Sequence, residues 1–169
     1  MRIAVLAASG GTGHQLAAQA LDRGHSVLAL ARDPRKVNLP GSADLTVVTA
    51  DVLEADMAGL LTDVQAVVSG TGIRQGDPAG TLLAGARALA AAAPARLVWL
   101  GALGVGASAS KAGPLADGPV SPTRRTVALA EFKSPALMPA RVTRATVAAA
   151  RLDDTEKSQH PGEIVIPLP

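Results

Sequence analysis

Short apolar runs alternate with stretches of helical periodicity from Arg2 to Leu100. The runs predict five buried β-strands, at Arg2–Ala7, Ser26–Ala31, Thr46–Thr49, Ala66–Ser69 and Arg96–Leu100. Amphipathic patterns between them predict helices over His14–Arg23, Glu54–Leu61 and Gly80–Ala92. Strands that alternate with helices form parallel βαβ units with right-handed crossovers. The pattern therefore predicts an α/β fold with a doubly wound parallel sheet, the Rossmann arrangement.

The pattern weakens from Gly101 onward. The segment GALGVGASASKAGPLADGPVSP is rich in Gly, Ala, Ser and Pro and predicts neither helix nor strand. Beyond it the chain predicts a short strand, a helix and a last strand, at Thr126–Leu129, Thr143–Leu152 and Glu163–Pro167. With 169 residues, the chain has the length of a single domain.

Composition narrows the class of protein. One Trp, one Phe and no Tyr leave a core of Ala, Val and Leu. The absence of Cys excludes disulfides and thiolate metal sites and fits a reducing compartment, and three scattered His predict no metal site. The net charge is +2 and the arginines are dispersed, so we expect no nucleic-acid partner. Because no apolar stretch reaches the length of a membrane span, we expect no membrane association and a cytoplasmic location.

Three glycines follow the first predicted strand, in the stretch AVLAASGGTGHQ at residues 4–15. Ala7, Gly10 and Gly13 have the spacing A-x-x-G-x-x-G on the first strand–helix turn. Glycine permits a tight turn and close approach, and a helix N-terminus attracts phosphate through its free N–H groups. We predict a pyrophosphate site at Ser9, Gly10, Gly11, Thr12 and Gly13. The alternative is a structural turn, and we do not expect a P-loop because no Gly-Lys-Ser/Thr follows.

The second predicted strand ends in the charged stretch ALARDPRK. In a dinucleotide fold this position faces the adenosine ribose, where an acid binds the 2′-hydroxyl and an arginine accommodates a 2′-phosphate. Arg32, Arg35 and Lys36 outnumber Asp33 here, and guanidinium groups bind phosphate bidentately. The stretch favours NADP over NAD, while the alternative interpretation is a solvated turn around Pro34.

Several segments together resemble a known family. AVLAASGGTGHQ, VLALARDPRKV, VTADVLEAD, AVVSGTG and RLVWLGALGVG, in this order, are similar to the atypical short-chain dehydrogenase/reductases. The groups they resemble within that family are the biliverdin reductase B/flavin reductase-like and NmrA-like NAD(P)-binding proteins. The resemblance covers residues 1–106 and resumes at PLADGP and at ARVTRATVAAARLDD. It implies one domain over 1–169, with a nucleotide-binding part at 1–106 and a substrate-side and C-terminal part at 107–169.

The resemblance also implies roles for individual residues. Ser9–Gly13 would hold the pyrophosphate, and Arg32 with Arg35 the 2′-phosphate. Asp51 and Val52 would flank the adenine, and the nicotinamide ribose would lie along Gly70, Thr71 and Gly72. Two positions depart from the family pattern: Ala7 replaces the first glycine, and Gly101–Ala102 stand where relatives often have Ser or Thr.

No residue is identified as catalytic. The typical short-chain dehydrogenase transfers a proton through a Tyr with a nearby Lys and Ser, which a chain without Tyr cannot do. Hydride transfer belongs to the cofactor, and solvent can supply the proton to a flavin or quinone. Two functions remain open. One is an NADPH-dependent reductase of a flavin, quinone or similar small molecule, which we favour; the other is a non-catalytic NADP(H) sensor that signals through a protein partner.

The segment before the late loop is short for this family. Relatives have a helix and a sixth parallel strand at this point, which together need about 15 residues. In this chain, only one residue separates Leu115 from Asp117. Either the chain is shortened there, or the protein has residues that the present sequence lacks. We favour the second alternative, since without a sixth strand the terminal strand at Glu163–Pro167 would have no neighbour.

Overall fold

A computed structural model describes residues 1–72, 78–92, 95–99, 115–128, 142–158 and 165–168. The chain divides into two compact units, Met1–Leu100 and Gly101–Pro169. The first unit contains all the residues predicted to bind a nucleotide.

The first unit contains a five-stranded parallel sheet. Its strands are β1 (Arg2–Leu6), β2 (Ser26–Ala31), β3 (Leu45–Thr49), β4 (Ala66–Ser69) and β5 (Leu97–Val98), in the order β3-β2-β1-β4-β5. Its helices are α1 (Gly11–Asp22), α2 (Met57–Leu60) and α3 (Thr81–Ala91). The order runs outward in both directions from β1, which confirms the predicted doubly wound α/β fold. The order reverses between β1 and β4, where open α/β sheets bind their ligands.

Small aliphatic side chains form the core of this unit. Ile3, Val5, Val67 and Val68 in the two central strands are completely buried. These strands are apolar on both faces because helices cover a parallel sheet on both sides. Helix α1 buries its small residues Ala17 and Ala20, so that its backbone can approach the sheet closely.

Several element boundaries differ from the prediction. Helix α1 begins at Gly11 instead of His14, so Gly13 lies inside its first turn. Helix α2 is confined to Met57–Leu60 instead of Glu54–Leu61, because the Asp51 carbonyl accepts the N–H groups of the preceding residues in a separate turn. The described part of the last strand of the sheet is Leu97–Val98, and Leu100 lies outside the described residues. No helix in the described ranges is long and apolar enough to span a membrane.

The second unit has a small sheet of its own. Strands β6 (Arg125–Ala128) and β7 (Val165–Leu168) pair antiparallel. Helix α4 spans Arg144–Lys157, five residues beyond its predicted end. Thr143 caps it by accepting the N–H of Thr146.

The pairing of β6 with β7 corrects one expectation. We argued that the terminal strand would lack a neighbour unless residues were missing between Leu115 and Asp117. Strand β7 has β6 as its neighbour, so that argument for an omitted segment is wrong. The described chain passes through Ala116, which bridges to Thr143. A chain that is shortened at this point satisfies the pairing of its last strand without a sixth parallel strand.

Candidate functional site

The turn after β1 is tight although its first position is not glycine. Ala7 adopts the left-handed conformation, with φ of 54°, and its carbonyl accepts the Gly10 N–H at 2.8 Å. A left-handed alanine costs about 1 kcal/mol relative to glycine. The turn therefore tolerates Ala7 at the first position of the motif, because Ala7 adopts the left-handed conformation that glycine adopts freely.

The start of α1 packs directly on this turn. A Cβ atom at Gly13 would overlap the Ala7 carbonyl oxygen and would lie 2.9 Å from the Cα atom of Ala8. A Cβ atom at Gly10 would lie 3.2 Å from the same oxygen. Backbone atoms cannot move aside as flexible side chains do. Gly13 is therefore required by the contact between the helix and the turn.

The end of β4 reaches the same place. A Cβ atom at Gly70 would lie 2.6 Å from the Cα atom of Gly13 and 3.1 Å from the carbonyl oxygen of Leu6. The Gly70 N–H donates to that oxygen at 3.0 Å. Three backbone segments thus meet where the strand order reverses, and we call Gly10, Gly13 and Gly70 the glycine edge.

The first turn of α1 presents free backbone donors. The first bond within the helix runs from the His14 N–H to the Gly10 carbonyl, at 2.8 Å. The N–H groups of Gly11, Thr12 and Gly13 precede it and have no carbonyl one turn back, as at every helix N-terminus. With the positive end of the helix dipole, these donors match the oxygens of a pyrophosphate. Ser9 is half-buried, whereas Thr12 is only 8% exposed.

The end of β2 has a cluster of exposed charges, Arg32–Lys36, which we call the charged tip. Arg32 lines a cleft of about 380 Å³ together with Thr49, Ala50, Asp51, Glu54 and Ala55. Within the part of the chain that the structure describes, Arg32 pairs with no carboxylate. Its guanidinium is thus available to an anionic ligand in this cleft.

The single carboxylate of the charged tip is already neutralised. Asp33 accepts two hydrogen bonds from the Arg35 guanidinium, at 3.0 and 3.3 Å, and a third from the Arg35 backbone N–H. Lys36 lies 3.9 Å away. The Arg35 side chain, followed by the backbone bond and the charge of Lys36, holds the pKa of Asp33 below its ordinary value. Asp33 is therefore an ionised and compensated carboxylate, and Arg35 is engaged with it.

The two residues predicted to flank the adenine have different surroundings. Asp51 lines the cleft, and one of its carboxylate oxygens accepts the Leu53 N–H at 3.0 Å. The other oxygen has no hydrogen bond among the described residues, so it can accept the exocyclic amine of an adenine. Val52 instead packs against the hydrophobic core.

The end of β4 also positions a hydroxyl. Ser69 is completely buried; its Oγ donates to Thr71 Oγ1 at 3.0 Å and accepts the Thr71 N–H at 3.2 Å. Ser69 was not predicted from the sequence, although a Ser two residues before a Thr at a strand end is the pattern of such a turn. Gly72 is exposed, and a Cβ atom there would meet nothing within 4 Å. The predicted glycines of this segment thus differ, since packing requires Gly70 but not Gly72.

Part of the predicted substrate side, residues 107–169, lies outside the described residues, namely 107–114, 129–141, 159–164 and 169. Gly101–Ala102, the second departure from the family pattern, also lie outside them. No group of three or more His, Cys, Asp or Glu in the described ranges is arranged to hold a metal ion.

Comparison with known proteins identifies the family of this chain. The sequence model of the NAD(P)H-binding family matches residues 7–155. No curated protein matches the chain significantly.

Three solved structures illustrate the similarity of fold. A proposed exported protein of Burkholderia pseudomallei is 21% identical, with a TM-score of 0.81 and complete coverage of both chains. A Rossmann-fold NAD(P)-binding family protein of Shigella flexneri is 18% identical, with a TM-score of 0.70, over 97% of this chain and 91% of the other. A proposed NADH-flavin reductase of Streptococcus pneumoniae is 19% identical, with a TM-score of 0.72, over 99% of both chains. At these identities the likeness establishes the fold.

Proposed function

This chain belongs to the NAD(P)H-binding family, and on that premise we propose that it is an NADP(H)-dependent reductase of a flavin, quinone or similar small molecule. In this proposal it is an atypical short-chain dehydrogenase/reductase, related to the biliverdin reductase B/flavin reductase-like and NmrA-like groups. We place it in the cytoplasm, which agrees with a chain that contains no Cys.

One observation carries the choice of NADP: Arg32 faces the cleft beside β3 without a carboxylate partner among the described residues. An NAD-binding site uses an acid at the end of β2 to accept the ribose hydroxyls. The acid present here, Asp33, already accepts three hydrogen bonds from Arg35 and lies beside Lys36, so it is a poorer acceptor for a ribose hydroxyl. A 2′-phosphate would instead meet a free guanidinium, which binds phosphate through two parallel hydrogen bonds.

The other parts of the site orient the dinucleotide. The N–H groups at the start of α1 bind the pyrophosphate, and Ser69 holds Thr71 beside the end of β4, where the nicotinamide ribose is proposed to lie. Asp51 accepts the adenine amine. When bound, the cofactor supplies the hydride, and solvent supplies the proton that a flavin or quinone requires. The protein's own contribution is therefore binding and orientation.

A second candidate function is a redox sensor that binds NADP(H) without turnover and signals to a protein partner. The absence of Tyr favours it, because the proton-transfer residue of typical short-chain dehydrogenases is missing. Both candidates share the same nucleotide site and differ only in turnover.

Turnover distinguishes the two functions. The purified protein is mixed with NADPH and a panel of flavins and quinones, and nicotinamide absorbance is followed. We expect oxidation with at least one acceptor, and a KM for NADPH that rises about tenfold in Arg32→Ala while kcat is retained, since a contact remote from the reacting atoms contributes mainly to binding. Tight NADPH binding without oxidation by any acceptor would favour the sensor.

A further inference from the structure

We propose that His14 is a positioning residue, which ties the charged tip to the start of α1 and thereby raises selectivity for nucleotides that carry a 2′-phosphate. The inference rests on the proposed function, because it assumes that the charged tip holds that phosphate.

The contact joins two distant parts of the sequence. His14 lies in the first turn of α1, where its backbone N–H donates to the Gly10 carbonyl. Its ring Nε2 lies 2.8 Å from the backbone carbonyl oxygen of Asn38. A carbonyl oxygen only accepts, so Nε2 must carry the proton. The neutral Nε2–H tautomer and the imidazolium both satisfy this requirement.

Asn38 directly follows a small hydrogen-bonded turn. The Lys36 N–H donates to the Asp33 carbonyl at 3.2 Å, and the Val37 N–H donates to the Pro34 carbonyl at 3.0 Å. With the Asp33–Arg35 pair, these bonds make residues 33–37 one local unit. The ring of His14 contacts Asn38, the residue directly after that unit, and thereby connects the unit to the helix whose N-terminus is proposed to bind the pyrophosphate.

Both ends of the joined segment matter for a dinucleotide. The 2′-phosphate and the pyrophosphate sit on one adenosine, so the groups that bind them must keep a set distance. A contact that fixes the charged tip against α1 lowers the entropy cost of ordering this segment when the nucleotide binds. This effect is preorganisation. Loss of the contact should weaken recognition of the 2′-phosphate more than recognition of the rest of the nucleotide.

Two other roles for His14 predict different results. If the ring bound the pyrophosphate directly, its loss would weaken every adenine nucleotide equally. If the ring only supported the fold, its loss would lower the melting temperature and leave the preference for the 2′-phosphate unchanged.

The test uses two nucleotide fragments, adenosine 2′,5′-bisphosphate and 5′-AMP, titrated calorimetrically into the full chain. The Kd of 5′-AMP divided by the Kd of the bisphosphate measures recognition of the 2′-phosphate. His14→Phe keeps a ring but has no donor. We expect this variant to lower the ratio by about two- to tenfold, which is the effect of losing a single hydrogen bond. We expect it to recover in His14→Gln, whose amide can donate to Asn38. Melting temperatures of all variants are measured in parallel, and His14→Ala replaces His14→Phe if that variant does not fold.

An unchanged ratio in folded His14→Phe, an equal weakening of both fragments, or no recovery in His14→Gln would overturn the inference. A wild-type protein that binds 5′-AMP as tightly as the bisphosphate would instead refute NADP selectivity itself, and this inference with it. Failure of the His14 inference would therefore be seen in the variants, whereas failure of the proposed NADP selectivity would be seen in the wild-type protein.

Discussion

The glycine edge and the charged tip belong to one proposed nucleotide site but are built in opposite ways. At the glycine edge, backbones approach so closely that a Cβ atom at Gly13 or Gly70 would lie within 3 Å of other main-chain atoms. At the charged tip, the side chains of Arg35 and Lys36 are 88% and 70% exposed. In the proposed function, the glycine edge determines whether a nucleotide binds at all, and Gly13 and Gly70 leave no room for a side chain. The charged tip determines which nucleotide is preferred, so its substitutions are expected to have graded effects.

The largest effect is expected at the centre of the glycine edge. Gly13→Val places three carbon atoms against the Ala7 carbonyl and Ala8, and overpacking of this kind costs about 3 kcal/mol or more. We expect loss of cofactor binding with a large fall in melting temperature, measured by calorimetry and circular dichroism. A folded variant with wild-type affinity would show that the turn is not the binding site.

A matched pair of glycines sharpens the same point. Gly70→Val should destabilise the protein and weaken cofactor binding, because the valine side chain would overlap the backbone atoms of Gly13. Gly72→Val, two residues later, meets open space and should leave the melting temperature within about 2 °C of wild type. Thermal unfolding of both variants is the measurement, and equal melting temperatures would contradict the packing of β4 on α1.

At the charged tip, Arg32→Ala tests the graded response. Removing a hydrogen-bonded charge contact costs about 1.5–3 kcal/mol, which is tenfold or more in affinity for NADP. Affinity for NAD should change little, since NAD has no 2′-phosphate. If calorimetry shows both affinities falling together, Arg32 does not recognise the 2′-phosphate.

The smallest effect is expected from the acid beside Arg32. Asp33→Asn releases the Arg35 guanidinium from its bidentate pair and removes the one negative charge of the charged tip. We expect the preference for NADP over NAD to rise by about two- to threefold, a modest change because exposed ion pairs are weak. Fluorescence titration with both reduced cofactors measures it. A fall in preference would mean that Asp33 itself contributes to binding.

The elements that sequence predicts well are those that depend on local pattern. Strands β2 and β4 have their predicted bounds, Ser26–Ala31 and Ala66–Ser69, because both are apolar runs ended by charge or glycine. The glycine spacing likewise predicts the turn after β1, since only a backbone requirement explains such a run. Helix α2 is shorter than predicted because Asp51 holds the residues before it in a turn and Asp56 caps the helix at Met57, and apolar periodicity does not report such local hydrogen bonds.

Contacts between distant residues could not be predicted from the sequence. The bond between His14 and Asn38 joins residues 24 positions apart, and the pairing of β6 with β7 joins the strands that precede and follow α4 in the chain. Neither leaves a periodic signal. The engagement of Arg35 by Asp33 is local but depends on the turn at Pro34, so sequence alone presents both arginines as equal candidates for a phosphate.

The most direct test of the account is calorimetric titration of the wild-type protein with NADP⁺ and NAD⁺ under identical conditions. The charged tip predicts that NADP⁺ binds at least about tenfold more tightly, the contribution of one bidentate phosphate contact. Equal affinity for the two dinucleotides, or tighter binding of NAD⁺, would contradict the claim that the charged tip recognises a 2′-phosphate.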